Sequence, residues 1–173
     1  MTERGAWPAR LWFTALAAVL LVAPLLPLDT GPRPYAAPDL LLAATLAWAA
    51  RRPDALPVLL VGAVFLLADL LFQRPPGLFT ALVVVLTEWL RARAPRLRKA
   101  PFLVEWAVVT GGIVAVAAAN RAVLALLMTP QPRWGLTLIQ VLLTVAAYPL
   151  VVGVARVALG LRRPALDGEG LRP

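Results

Sequence analysis

Neither cysteine nor histidine occurs among the 173 residues. Disulfides, thiolate or imidazole metal sites, and Ser–His or Cys–His nucleophile pairs are therefore excluded within this chain. Acidic charge is scarce as well, nine carboxylates against 17 Lys and Arg. There is no Gly-rich phosphate loop and no nucleophile elbow, so no cofactor is expected and no enzymatic site stands out. What fills the chain instead is apolar: 61% of residues are hydrophobic and the mean hydropathy is +0.79, where soluble domains run at ~45–50% apolar. A core this small cannot hide that excess. Lipid is the solvent that fits, and the length allows a single domain.

The net charge of +8 does not form an aromatic-lined basic groove, so no nucleic-acid partner is expected. The basic residues sit in short gaps between apolar runs, as an orientation signal does. Six runs are drawn, over residues 11–28, 38–50, 55–72, 77–90, 102–128 and 136–160, with a short tail at 161–173. Gly- and Pro-rich gaps such as Gly31-Pro32-Arg33-Pro34, Arg74-Pro75-Pro76-Gly77 and Ala94-Pro95 separate them. The runs are continuous rather than alternating, which predicts helices and not a barrel. Arg4 and Arg10 before the first run, with no small-residue cleavage site ahead of Pro24 and Pro27, predict an uncleaved first helix.

Alternate gaps divide the basic residues twelve against three, which predicts an even number of spans with both termini cytoplasmic. Trp7, Trp12, Trp48, Trp89 and Trp106 then fall at the cytoplasmic edge, and Tyr35 and Trp134 at the outer edge. The runs at 38–50 and 77–90 offer thirteen and fourteen residues, where a span needs ~20. Each recruits flanking residues, thins the bilayer, or stops part-way. Short segments of this kind also mark binding sites in some transporters.

Ionisable residues inside apolar runs are the first functional candidates. Asp39 opens the second run and reads as an N-cap or first-turn carboxylate. Asp69, near the end of the third, and Arg121, in the outer half of the fifth, either snorkel or form a buried ion pair that brings those two helices together. No carboxylate is expected at mid-membrane, hence no proton or ion path. Glu88 and Glu105 flank the basic segment Arg91–Lys99 and read as locally neutralised. Ala107, Gly111, Ala115 and Ala119 recur every fourth residue, a stripe expected to serve internal helix packing. Tyr148-Pro149 predicts a kink in the last helix.

The stretch from Pro38 to Leu82 carries a resemblance. Pro38-Asp39 followed by leucines, Arg51-Arg52-Pro53, Asp69-Leu70-Leu71, and Pro75-Pro76-Gly77-Leu78 with Ala81-Leu82 resemble the rod shape-determining protein family MreD. Length, span number and small loops are similar across nearly the whole chain. The resemblance implies a six-helix bundle similar to the substrate-binding subunit of energy-coupling-factor vitamin transporters. It implies a non-catalytic subunit of the bacterial cell-elongation and peptidoglycan-synthesis complex in the inner membrane. Its partners would be an MreC-like single-span protein and, through it, MreB filaments, RodA and a class B transpeptidase. Asp39, Asp69 and Gly77 match the family pattern, whereas Arg121 does not come from it. The alternative is a small-molecule-binding subunit of a vitamin-type transporter. Against it, Ala15, Ala17, Ala18 and Ala23 in the first run include no pair four apart for docking a coupling protein.

Overall fold

A computed structural model describes residues 7–26 and 37–158. The expectations for Arg4, the gap at 31–34, Tyr35 and the tail 161–173 lie outside the described residues. Those described form six helices: α1 Trp7–Val22, extended by one 3-10 turn, α2 Leu40–Arg51, α3 Val58–Leu71, α4 Leu78–Lys99, α5 Phe102–Leu126 and α6 Trp134–Ala158. No strand occurs among them.

The fold is organised around α2, which packs against α1, α4 and α6, while α3 leans on α4 and α5 bridges α4 to α6. Every residue from Leu41 to Arg51 is buried, as expected of a helix with no polar face. Its alanines, at 43, 44, 47, 49 and 50, let neighbouring backbones approach closely, which matters where van der Waals packing drives helix association. Trp48 is 1% exposed and meets the Phe13 ring at 6.0 Å. It is thus a core residue rather than an interfacial anchor, contrary to the belt expected at that edge.

The outer helices present apolar side chains outward. Leu59, Val85, Leu126, Leu142 and Leu150 are all more than two-thirds exposed or at that level, the surface a lipid solvent requires. Three helices, Trp7–Leu25, Phe102–Leu126 and Trp134–Arg156, are long and apolar enough to cross a membrane, while α2 and α3 are apolar but shorter. The protein is an all-helical membrane protein.

One of the expected boundaries is corrected. The segment Arg91–Lys99, expected as a loop broken at Ala94-Pro95, is the second half of α4, with Pro95 inside the helix. Leu90, Ala94 and Leu97 are buried at helical spacing, so packing holds this turn helical against the proline. The helix is thereby 22 residues long, but its second half carries Arg91, Arg93, Arg96, Arg98 and Lys99, and it is not one of the three helices apolar enough to cross a membrane. In α6, Pro149 also stands within a continuous helix. Its missing N–H frees the carbonyl of Val145, and the Trp106 indole donates to that oxygen at 3.1 Å.

One end of the bundle carries the start of α1, the end of α2 and the start of α5. Arg10 donates to the Asp54 carbonyl there, and Arg51 reaches Glu105. The opposite end carries the α3–α4 turn and the α5–α6 loop.

Candidate functional site

The short helix α2 creates a cavity. The Asp39 backbone N–H donates to Thr144 Oγ1 at 2.9 Å. Thr144 lies ten residues into α6, about 15 Å along its axis at 1.5 Å per residue. The space above the start of α2, between the start of α4, the later turns of α5 and the first turns of α6, is therefore left without a helix. A cavity of about 330 Å³ occupies it. Asp39 and Leu42 form its floor, Gln73 and Arg74 come from the α3–α4 turn, and Arg121 and Gln140 come from α5 and α6. Phe79, Ile113 and Val141 supply apolar wall.

Asp39 is the N-cap of α2, as expected, its carboxylate accepting from the Leu42 N–H at 2.9 Å. The same residue is tied to α6 through its backbone N–H, at the level of Thr144. The pairing of Asp69 with Arg121 is also corrected. Asp69, fully buried, turns to α4: its Oδ2 accepts from the Gly77 N–H at 3.1 Å, the Thr80 N–H at 3.2 Å and the Thr80 hydroxyl at 2.8 Å. Gly77, with φ of +87°, is the N-cap of α4 and has no side chain to offer, so Asp69 caps that helix from α3. Arg121 turns to α6, donating through Nη1 to the Pro132 carbonyl at 3.0 Å and Thr137 Oγ1 at 2.7 Å, and stacking 3.8 Å over Trp134. Each charge found nearer partners than the other because α3 packs on α4, not α5.

Two Schellman turns shape the cavity mouth. At the end of α3, Arg74 N–H donates to the Asp69 carbonyl and Gln73 N–H to that of Leu70. At the end of α5, Thr129 N–H donates to Leu124 and Met128 N–H to Ala125. Gln73 and Met128 hold the left-handed positions at φ of +52° and +50°. The first turn aims Arg74 at the cavity, its guanidinium resting on the Phe79 ring at 4.9 Å.

A second polar centre lies at the other end. Arg51 and Glu105, 3% and 2% exposed, form a two-pronged ion pair: Nε and Nη2 each donate to a Glu105 oxygen at 3.0 Å, and the Tyr148 hydroxyl donates to Oε1 at 2.9 Å. This knots α2, α5 and α6 together. Glu105 was expected to be neutralised locally; Glu88 is, by Arg91 at 3.2 Å, but Glu105 is not a surface group. The sequence signal for it was positional. Arg51 ends an apolar helix and Glu105 begins one, each where the helix dipole favours its sign. Their separation of 54 residues hides the pairing from any local reading.

The small-residue stripe of α5 also departs from expectation. Gly112, not the stripe, makes the tight contact with α4, where an added Cβ would lie 2.8 Å from Leu86. Gly111, Ala115 and Ala119 line an outward apolar groove with Val85 and Trp89, and a Cβ on Gly111 would meet nothing within 4 Å. Comparison with known protein families, with curated proteins and with solved structures finds no match to this chain.

Proposed function

We propose that this chain is a non-catalytic membrane subunit of the bacterial cell-elongation complex, of the MreD type, lying in the inner membrane with both termini cytoplasmic. The observation that carries the reading is the joint between α3 and α4. Asp69 of the Asp-Leu-Leu motif and Gly77 of the Gly-Leu motif, residues that bear the resemblance, are bonded to each other. The motif is therefore a structural unit rather than a chance run of leucines. Asp39, the third such residue, caps the central helix. A scaffold needs rigid helices with free outer faces, and the α4–α5 groove is such a face: small residues there admit a partner helix at close range. The expected partner is an MreC-like single-span protein, which links onward to MreB, RodA and a class B transpeptidase.

Depletion of the protein gives rounded or swollen cells, and the tagged protein carries a single-span, coiled-coil protein through purification. A second reading, a vitamin-type transporter subunit, is favoured by the cavity above α2. Normal cell shape on depletion, together with tight binding of a vitamin-sized molecule, replaces the first reading with the second.

A further inference from the structure

The cavity above α2 holds more positive charge than its own walls neutralise. Arg74 and Arg121 line it from two different elements, and among the described residues no carboxylate lies within ion-pair distance of either. Arg121 spends Nη1 on the Pro132 carbonyl and Thr137, but its buried Nε has no partner. The Arg121 guanidinium is held flat by Trp134 and that of Arg74 lies over Phe79. Both planar forks are thus pre-oriented, which is how arginine recognises oxyanions with little loss of side-chain freedom. Asn120 and Gln140 add amide groups, and Asp39 supplies one carboxylate at the floor. At about 330 Å³ the space suits a small molecule, being at the lower end of the range for ligand pockets.

We propose that this cavity binds a phosphodiester headgroup bearing a hydrogen-bond-donating arm, an ammonium or a hydroxyl. The phosphate oxygens meet Arg74 and Arg121, and the donating arm reaches down to the Asp39 carboxylate. The apolar walls at Ile113, Val116 and Val141 cover the carbon atoms between the two. With a hydroxyl arm the charges match, two guanidinium groups and one carboxylate leaving one positive charge for one phosphodiester. An ammonium arm is met instead by the Asp39 carboxylate, with the phosphate held by the two guanidinium groups. Either a membrane lipid or a free glycerophosphodiester carries this chemistry. The proposal does not depend on the elongation-complex reading, and partner capture and headgroup binding are measured separately.

The test uses the full chain in an uncharged maltoside detergent. Thermal unfolding and titration calorimetry are followed against glycerophosphoethanolamine and glycerophosphoglycerol, and against phosphatidylethanolamine, phosphatidylglycerol and phosphatidylcholine. The ethanolamine and glycerol compounds raise the unfolding midpoint saturably, and the choline lipid, whose headgroup has no N–H or O–H, binds at least tenfold more weakly. A response to the lipids alone assigns the ligand to the bilayer; a response to the free headgroups as well assigns a soluble phosphodiester. Arg74→Gln, at a side chain that makes no hydrogen bond or ion pair among the described residues, leaves the unliganded unfolding midpoint near that of the parent and weakens binding tenfold or more. Asp39→Asn, which keeps an N-cap, abolishes the preference for ethanolamine over choline. The proposal is overturned if no compound binds, if Arg74→Gln binds as the parent does, or if choline and ethanolamine lipids bind alike.

Discussion

Replacing Asp69 with alanine removes the acceptor for three donors at the start of α4, two of them backbone N–H groups. A loss of about 1–3 kcal/mol is expected from the unsatisfied donors, read as a lower unfolding midpoint in detergent. Thr80→Val removes one side-chain bond and costs about 1 kcal/mol. At Gly77 the cost of a side chain is purely conformational, since an added Cβ meets nothing while φ is +87°; Gly77→Ala costs about 1–2 kcal/mol. Met128 is the converse case. Holding φ of +50° with 93% of its surface exposed, it has strain and little packing, so Met128→Gly raises the midpoint. The charge pair that does form is Arg51–Glu105. Arg51→Met or Glu105→Met alone strands a buried charge and costs about 3–5 kcal/mol, and the double variant recovers most of it. If the two losses add, the pair contributes nothing as a pair.

Among elements, α5 uses adjacent glycines for opposite purposes. Gly112 lets α4 and α5 approach, and a Cβ there would lie 2.8 Å from the Leu86 side chain. Gly112→Leu therefore forces the helices apart and lowers the folded yield. Gly111 faces the open groove, so Gly111→Leu leaves the unfolding midpoint unchanged and weakens co-purification of the partner helix. Equal co-purification would place the partner on another face. The helical period made the stripe visible in sequence, but which side of α5 met α4 depended on packing one residue round the helix. The same limit applied to α2. Its thirteen-residue run was legible as too short, whereas its place at the centre, and the cavity left above it, followed from where α6 set its level.

At the scale of the molecule, the division of basic residues predicts the orientation. Alkaline phosphatase joined after Arg74 or Gln131 is active in cells, and joined after Lys99 it is inactive. Activity at Lys99 overturns the proposed topology. That Arg91–Lys99 is helical does not alter the expectation, since charge near a span end orients it in either conformation.

Composition and continuous apolar runs determined on their own that the chain is helical and belongs in lipid, because a backbone without water must close its hydrogen bonds within each segment. Local rules also set the Asp39 cap, which needs only the three residues that follow it. Tertiary structure decided the rest. It sent Asp69 to α4 and Arg121 to α6 instead of to each other, and it brought Arg51 to Glu105 and Tyr148 across three helices. It turned Trp48 from the interface into the core. A buried polar group takes whichever partner the packing of neighbouring helices brings within about 3 Å, and that choice is not written in the spacing of residues along any one helix.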